Sequence, residues 1–396
     1  MIRAEFSGIS KSVNKAYAER SGVSAKILKI YSESGGVSKL VYTLGKIVSK
    51  LSQNAATADN LSLARCYIGT GSTANHAFFV GGADGSNNGT KNVDAYDING
   101  IMTAATDFLY AQARATCVQN GDESDPVLLV FQGASTGSSA SGSNFGYYYK
   151  DDLTRGGATN ITNSVIVPAT FYMNKKSYIA GGRNGKSYYK SCDCYTATNA
   201  KTALSNLGVA RGYAGGAATD DFGAIVGGMN ASGRCADVDI YNKSNVRSSL
   251  TLSIGRQYPM AARIGDGIIV AGGNIDLNGG TSSTDIVEYI NKDKVLTTIG
   301  NSLNASSMGC CVGGKDIAVF VDGAVSANGA NVRTKDVEYV NSDLVATLSD
   351  QTRDEHFLGG VARLGNKVFV GGGSATGGAR VDSVEIYDIK QEVITP

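Results

Sequence analysis

The sequence contains no tryptophan, only four prolines and only two histidines among its 396 residues. So few prolines, beside 51 glycines, exclude a proline-rich linker or collagen and indicate a chain with many tight turns. The absence of tryptophan weakens any argument for stacking on sugar rings. The formal net charge is +1, which gives no bulk electrostatic argument for binding nucleic acid.

Long apolar runs are also absent. None approaches the ~20 residues of a membrane helix, and the opening MIRAEF has no apolar core of a signal peptide. We therefore expect no membrane insertion and synthesis in the cytoplasm without a signal peptide. Seven cysteines are an odd number, which excludes a complete disulfide framework and favours buried free thiols in a reducing compartment.

An internal repeat is the strongest feature of the chain. An apolar strand that ends in two small residues recurs seven times, as in AFFVGG, SYIAGG and IIVAGG. Steps of 51, 49, 46, 45, 50 and 49 residues separate the final glycines, which are Gly82, Gly133, Gly182, Gly228, Gly273, Gly323 and Gly372. A period near 50 residues indicates a repeat architecture.

Two further marks belong to each unit. A strand of the form V-[DE]-x-Y follows the glycines, for example VDAYD at 93–97 and VEIYD at 384–388, and it is degenerate in the second unit, where YYYKD occupies 147–151. An arginine lies 16 to 18 residues before five of the glycine pairs, at Arg65, Arg114, Arg211, Arg256 and Arg353. These arginines either pair with the acid of the later strand, the interpretation we favour, or ring one end of a channel and meet an anion.

About four strands per unit cannot bury both faces alone, whereas seven copies in a ring can, so the sequence predicts an all-β, seven-bladed β-propeller. The paired glycines, the V-[DE]-x-Y strand and the upstream arginine resemble the Kelch repeat over roughly residues 61–396. Kelch units usually carry a late tryptophan, which isoleucine, leucine or valine replaces here, and this separates the chain from animal Kelch adaptors. The final segment EVITP is expected to supply its own fourth strand, so that deleting residues 384–396 causes aggregation.

The N-terminal segment is basic and has a shorter repeat. Residues 1–50 carry seven Lys and two Arg against three Glu, or +6, and the remainder carries −5. Gly8, Gly22 and Gly36 lie 14 residues apart and begin segments whose alternation favours strands. We expect a small β module with one basic face at 1–44, followed by a linker at 45–60 and the propeller at 61–396.

This N-terminal repeat resembles the short Gly/Lys/Tyr repeats of tail-associated proteins of phages of Gram-positive bacteria. The resemblance implies a virion protein, made in the bacterial cytoplasm, that attaches to other tail proteins through residues 1–50. The alternative is a solvated basic sheet without a dedicated partner. No trimer interface is recognisable, which leaves a homo-oligomer open.

Residues for metal or covalent chemistry are sparse. His76 and His356 have no cysteine or carboxylate partners at ligand spacing, and Cys192 and Cys194 lack the further ligands that zinc needs. Galactose oxidase also has seven Kelch-type blades, but no motif here matches its copper site, and the sialidase box is absent. We therefore expect no metal, cofactor or catalytic residue.

The loops between the second and third strands of each unit are polar and variable. Loops held by a rigid scaffold commonly carry recognition, and amide and hydroxyl groups suit a host protein or glycan. The predicted binding residues are Asp84, Asn87, Asn88, Arg183, Asn184, Tyr188, Asn230, Asp276, Asn278, Asn328 and Asn331. The short Asp- and Asn-rich loops at 82–89 and 275–280 favour turn chemistry over a calcium site.

Three functions follow from these features. The first is a non-enzymatic phage or prophage tail protein whose propeller binds a host-surface protein or glycan. The second is an intracellular Kelch scaffold, and the third is a Kelch-type oxidase or a polysaccharide-active enzyme. Particle association supports the first function, whereas bound metal or turnover supports the third.

Overall fold

Strands account for nearly all regular structure. The computed structural model describes residues 29–394 apart from 35–36, 44–45, 123–124, 140, 277–281, 302–305, 322 and 328–329. Within these residues, the single element that is not a strand is a 3-10 turn at Thr376–Gly378. Seven four-stranded antiparallel sheets form the blades of a β-propeller, which confirms the predicted fold class.

The strands follow one another blade by blade along the chain. A hairpin of β1 (Lys29–Ser34) and β2 (Val37–Thr43) comes first, followed by β3 (Lys46–Gln53). Blade 1 contains β4 (Gly69–Ser72), β5 (Ala77–Val80), β6 (Val93–Tyr96) and β7 (Met102–Ala104). Blade 2 contains β8 (Thr116–Asp122), β9 (Asp125–Phe131), β10 (Ser143–Tyr149) and β11 (Arg155–Val165).

Blades 3 and 4 each add a short hairpin in the loop between their second and third strands. Blade 3 contains β12 (Ala169–Met173), β13 (Lys176–Ala180), the hairpin β14 (Arg183–Asn184) and β15 (Ser187–Tyr188), β16 (Cys192–Tyr195) and β17 (Lys201–Ala203). Blade 4 contains β18 (Gly215–Ala218), β19 (Phe222–Val226), the hairpin β20 (Met229–Asn230) and β21 (Gly233–Arg234), β22 (Asp237–Asn242) and β23 (Arg247–Thr251).

The last three blades complete the ring. Blade 5 contains β24 (Met260–Ile264), β25 (Gly267–Ala271), β26 (Ile286–Ile290) and β27 (Leu296–Asn301). Blade 6 follows a short strand β28 (Ser306–Ser307) and contains β29 (Cys310–Gly313), β30 (Ile317–Val321), the loop strands β31 (Ala324–Ala327) and β32 (Ala330–Arg333), β33 (Val337–Asn341) and β34 (Ala346–Leu348). Blade 7 contains β35 (Gly360–Leu364), β36 (Lys367–Gly371) and β37 (Val384–Ile394).

Apolar contacts between neighbouring blades form the core. Each second strand is an almost continuous apolar run, as in Ile268–Ile269–Val270, because both of its faces are covered. A cluster of buried side chains fills each of the seven interfaces, and Val226, Ile240 and Ile268 belong to the one between blades 4 and 5. Burial of this apolar surface between blades is the main force that stabilises the ring.

The ring closes through a strand from the N-terminal side. β3 pairs with β37 along eight residue pairs, from Lys46 opposite Ile394 to Gln53 opposite Tyr387, and forms the fourth strand of blade 7. The prediction that EVITP supplies its own fourth strand is therefore wrong, because the third strand, β37, continues without a turn to Ile394 and β3 occupies the fourth place. The prediction of a linker at 45–60 is also wrong, because these residues contain β3. The propeller therefore begins at Lys46.

The paired glycines lie where each second strand leaves its sheet. Gly228 has φ of 106°, and a Cβ there would lie 2.6 Å from the carbonyl oxygen of Gly212, so this position requires glycine. In the seventh unit the equivalent residue is Gly373, with φ of 112°, rather than the predicted Gly372. The last spacing of the repeat, which starts at Gly323, is therefore one residue longer than predicted.

The N-terminal hairpin is the described part of the basic module. β1 pairs antiparallel with β2, from Lys29 opposite Thr43 to Ser34 opposite Val37. Strands therefore form in the last of the three predicted segments and at the end of the second. The positions Gly8, Gly22 and Gly36 lie outside the described residues.

Candidate functional site

One end of the propeller carries two sets of loops, and we call it the loop face. On this face the segment that enters each blade pairs antiparallel with the loop between that blade's second and third strands. The seven pairs are Cys66–Ala83, Ala113–Ala134, Ile166–Arg183, Gly212–Met229, Gln257–Asn274, Ser307–Ala324 and Phe357–Ser374. The sevenfold pairing holds both sets of loops to the rigid sheets.

Three of the predicted arginines form buried ion pairs. The side chains of Arg65, Arg211 and Arg256 are fully buried. Arg65 Nη2 lies 2.8 Å from Asp94 Oδ2, and Arg211 Nη1 lies 2.7 Å from Asp239 Oδ2. Arg256 pairs with Glu288 in the same way. Each acid belongs to the V-[DE]-x-Y strand, which supports the structural interpretation of these arginines.

In blade 7 a histidine takes the place of this arginine. His356 Nδ1 lies 2.6 Å from the Gly372 carbonyl oxygen, and Nε2 lies 3.3 Å from Glu385 Oε1. Arg353 is half exposed and its Nε lies 3.8 Å from Glu385. Burial alone would raise the pKa of Glu385, but the hydrogen bond and charge of His356 and the amide of Arg353 hold it below its usual value. Arg353 is therefore not equivalent to the buried arginines.

Arg114 belongs to a different structural position, which we call the inner ring. Its members have φ between 49° and 60°, and they lie where each entering segment turns into the first strand. The amide of Arg114 donates to the Tyr67 carbonyl, and the amide of Tyr258 donates to the Tyr213 carbonyl, so members of successive blades are linked. The inner ring consists of Tyr67, Arg114, Val167, Tyr213, Tyr258, Met308 and Leu358.

The first strands of the seven blades surround the central channel of the propeller. Inner-ring side chains converge over the opening of this channel on the loop face, which we call the channel mouth. The Arg114 guanidinium lies 4.3 Å from the centre of the Tyr67 ring, and the rings of Tyr213 and Tyr258 lie 4.7 Å apart. Burial raises the pKa of Tyr258, and the positive charge of Arg114 opposes that rise. Arg114 enters blade 2 and Tyr258 enters blade 5, so this interaction crosses the channel mouth. Arg114 and the three tyrosines therefore form one group at the channel mouth.

A second set of equivalent positions, one in each blade, lies on the loop face, and we call it the outer ring. It occupies the position four residues before the first residue of each V-[DE]-x-Y strand. Blades 4, 6 and 7 carry arginine here, and blade 3 carries tyrosine. The described members of the outer ring are Gly89, Gly142, Tyr188, Arg234, Ser283, Arg333 and Arg380. This arginine position lies at a fixed distance before the V-[DE]-x-Y strand, a spacing that the pattern of upstream arginines does not include.

Outer-ring arginines bond to the next blade. Arg333 Nη1 donates to Ser374 Oγ at 3.0 Å, and its guanidinium lies 4.9 Å from the centre of the Phe357 ring. Arg380 Nη1 donates to the same Ser374 oxygen at 3.2 Å, and its Nε donates to the Asp84 carbonyl oxygen. Arg333 and Arg380 are therefore neighbours on either side of one hydroxyl group.

Arg183 and Arg234 continue the arrangement around the other side of the mouth. The Arg183 guanidinium lies 4.9 Å from the centre of the Tyr213 ring, and its buried Nε has no hydrogen-bond partner among the described residues. Arg234 Nη2 donates to Asn274 Oδ1 at 2.9 Å. Burial lowers the pKa of Arg234, and the nearby charge of Asp276 opposes this. These contacts bring Arg183 and Arg234 to the channel mouth.

We call Arg114, Arg183, Arg234, Arg333 and Arg380 the mouth arginines. None of them forms an ion pair with a carboxylate of the described residues, in contrast to the buried arginines Arg65, Arg211 and Arg256. Arg114 donates from Nε and Nη2 to the carbonyl oxygen of Gly137. Burial raises the pKa of the Cys66 thiol, and the charges of Arg380, Arg114 and Arg333 together oppose that shift. The mouth is therefore a concentration of positive charge.

The predicted loop residues are divided between turns and the mouth. Asp84 Oδ1 accepts bonds from the amides of Ser86 and Asn88, which is turn chemistry as predicted. Asn87 Oδ1 lies 3.5 Å from Arg380 Nη2. Asn184 lies in the β14–β15 hairpin with Tyr188, and Asn230 caps the β20–β21 hairpin through the amide of Ser232. Asn331 lies in β32, whereas Asn278 and Asn328 fall outside the described residues.

Histidines and cysteines do not converge. His76 Nδ1 lies 3.4 Å from Asp151, at the end of blade 1 opposite the loop face. Cys192 and Cys194 are both buried between blades 3 and 4, and burial raises the pKa of Cys192 to about 12. Among the described residues, no three His, Cys, Asp or Glu side chains are placed to hold a metal ion.

None of the described helical segments has the length and apolar character to span a membrane.

The opposite end of the channel is a separate cavity of about 420 Å³. Small residues such as Gly216, Ala261 and Gly313 line it. At its rim Arg263 Nη1 lies 2.7 Å from Asp220 Oδ1, and Lys315 lies 2.9 Å from the same carboxylate. These hydrogen bonds hold the pKa of Asp220 well below its usual value. At this end, unlike the channel mouth, the cations therefore contact a carboxylate.

Comparison with known proteins identifies the architecture. No family model matches the chain, and no curated protein matches it. Among the solved chains that match, one titled "Structure of YjhT" has 13% sequence identity and a TM-score of 0.56. The match covers 74% of this chain and 100% of that one. This similarity shows the fold alone.

Proposed function

We propose that this protein is a non-enzymatic binding protein of a phage or prophage tail, whose Kelch-type propeller binds a host-surface protein or glycan through the loop face. The observation that carries the proposal is the channel mouth, where loops paired with the entering segments of the blades bring together five arginines that form no ion pair with a described carboxylate. A rigid scaffold that presents charged groups without an opposite charge beside them is suited to recognition.

The basic N-terminal segment supports attachment to a particle. Residues 1–50 carry a net charge of +6, and the described part of their Gly/Lys/Tyr repeat forms the β1–β2 hairpin. This segment leads directly into β3, which is part of blade 7. We propose that residues 1–50 bind other tail proteins and leave the loop face free for the host.

Electron microscopy of particles from the source organism, labelled with an antibody to residues 61–396, tests this function. We expect label at the tail tip or along the tail. Purified full-length protein should also compete with the particles for adsorption to host cells. Absence of label from all particles would leave the intracellular scaffold as the better proposal.

A further inference from the structure

We infer that the channel mouth on the loop face is a binding site for an oxyanion, a carboxylate or a phosphate, carried by a sugar. The inference rests on the proposed function, because it names the class of ligand that the loop face would recognise. Its centre is the pair Arg333 and Arg380, which both donate to Ser374 Oγ, and the charge of Arg114 acts on the same thiol, Cys66, as the charges of these two.

The positions of Arg333 and Arg380 are those of a two-armed anion clamp. Both guanidiniums donate to one neutral oxygen, Ser374 Oγ. Each guanidinium has five N–H donors in a planar fork that matches the oxygens of a carboxylate or phosphate. Arg333 uses one of these donors in the described contacts. Arg380 uses its Nε, both hydrogens of Nη1 and one of Nη2, on Asp84, Ser374, Gly378 and Asn87. Most of the donors that remain for a ligand are therefore those of Arg333, with one on Arg380 Nη2.

Charge strengthens this argument. Like charges that lie close together repel, and a bound anion removes that repulsion. The charges of Arg380, Arg114 and Arg333 all oppose the rise that burial gives the pKa of the Cys66 thiol, so the three guanidiniums act on one atom. In the same repeat, an acid matches each fully buried arginine, as Asp94 matches Arg65. The mouth arginines have no such acid among the residues that the structure describes, which is the arrangement that an external anion completes.

The neighbouring acids of the loop face have other partners. The Asp84 carboxylate accepts bonds from the amides of its own turn. Glu355 accepts bonds from the amide and hydroxyl of Thr376. Asp276 lies beside Arg234, on the other side of the mouth. These acids therefore do not occupy the donors of Arg333 and Arg380.

The remaining groups of the mouth fit a sugar. Tyrosine rings combine an apolar face with a hydroxyl group, and sugars present both C–H and O–H groups. Tyr67, Tyr213 and Tyr258 supply these rings at the inner ring. Asn87 and Ser374 add amide and hydroxyl groups beside Arg380. An acidic sugar would therefore place its charge on the arginines and its ring against the tyrosines.

Isothermal titration of the full-length protein tests the site with four probes, which are inorganic phosphate, glucuronate, N-acetylglutamate and glucose. The double variant Arg333→Gln/Arg380→Gln removes the two arms of the clamp. Arg263→Gln is the matched control, because it removes an arginine at the opposite channel end whose acid Asp220 keeps Lys315 as a partner. Circular dichroism melts establish that both variants remain folded.

We expect the wild type and the control to bind glucuronate or phosphate at least tenfold more tightly than glucose. The double variant should lose about tenfold or more of that affinity, since hydrogen bonds to charged groups are strong. A preference for glucuronate assigns a carboxylate, and a preference for phosphate assigns a phosphate ester. If no anion binds, or if the double variant binds as the wild type does, the anion site is wrong.

N-acetylglutamate separates a sugar from an acidic peptide, since it carries two carboxylates and no sugar ring. Binding as tight as that of glucuronate would overturn the assignment to a sugar. Adsorption of particles to host cells is measured in parallel with the double variant as competitor. If the variant still competes fully, the binding function stands and the anion inference fails.

Discussion

Arginine occurs at several positions of the repeat, and burial decides the role of each one. Arg65, Arg211 and Arg256 are fully buried, so each requires a carboxylate beside it. Arg333 and Arg380 lie at the mouth and donate to neutral oxygens instead. The first set stabilises the blades, and the second set is available to a ligand.

Truncation of a buried arginine should strongly destabilise the protein. We expect Arg256→Ala to cost about 3–5 kcal/mol, because it leaves the Glu288 carboxylate buried without its partner. Arg353→Ala, at a position that the repeat pattern treats as equivalent, should change stability by less than about 0.5 kcal/mol, because Arg353 is half exposed. Urea denaturation measures both. Equal losses would contradict the distinction.

The sequence predicted the arginine–acid pairs because both partners recur at fixed spacing. In the seventh unit the sequence pattern predicted that Arg353 pairs with the acid, but His356, three residues later, occupies the buried position beside Glu385. The sequence did not reveal this because histidine is not part of the pattern. Arg114 was assigned to the wrong position, because it lies two residues beyond the position that Arg65 occupies, in the left-handed inner ring. Contacts across blades, such as that of Arg333 with Ser374, depend on the geometry of the ring.

The sequence analysis misplaced one strand, the outer strand of blade 7, and the residues that form the turn before the outer strand in the other blades explain why. In most blades an Asn, Asp, Ser or Thr lies two residues into the turn after the third strand, as Asn99 and Asp293 do. Lys390 occupies this place in the seventh unit. The Asp388 carboxylate contacts Lys367 and Asn54 instead of capping a turn. The chain therefore continues as β37, and β3 fills the vacant outer edge.

Two N-terminal truncations test the role of β3. Removal of residues 1–45 should leave a propeller that unfolds cooperatively, because β3 stays paired. Removal of residues 1–53 should cause aggregation, since it exposes the edge of β37 and the apolar surface that Val48 and Leu51 cover. Size-exclusion chromatography and thermal melts compare the two proteins. A soluble, cooperative 54–396 fragment would disprove this role.

Over the whole molecule, the radius of the ring depends on how closely the first strands approach the axis. These strands are rich in small residues, such as the Gly-Gly-Ala-Ala of β18. A Cβ on Gly216 would lie 2.3 Å from the backbone oxygen of Thr170 in the neighbouring blade. The number of blades was predictable from the count of repeats, but this spacing was not.

A pair of glycine substitutions measures that constraint. Gly216→Ala should destabilise the protein by about 1–3 kcal/mol, because a whole blade must move to admit one methyl group. Gly85→Ala is the control, since a Cβ there meets nothing within 4 Å. Thermal melts followed by circular dichroism compare the variants. A Gly216→Ala protein as stable as the control would show that the first strands have room to separate.

The closing strand also has a mechanical consequence. Residues 1–45 join the propeller at Lys46, so any tension on that segment enters the ring through β3. A pull along the strand loads all eight residue pairs between β3 and β37 in shear at once. A pull across the strand would instead open them one at a time from Lys46. The ring should therefore withstand a larger force along β3 than across it.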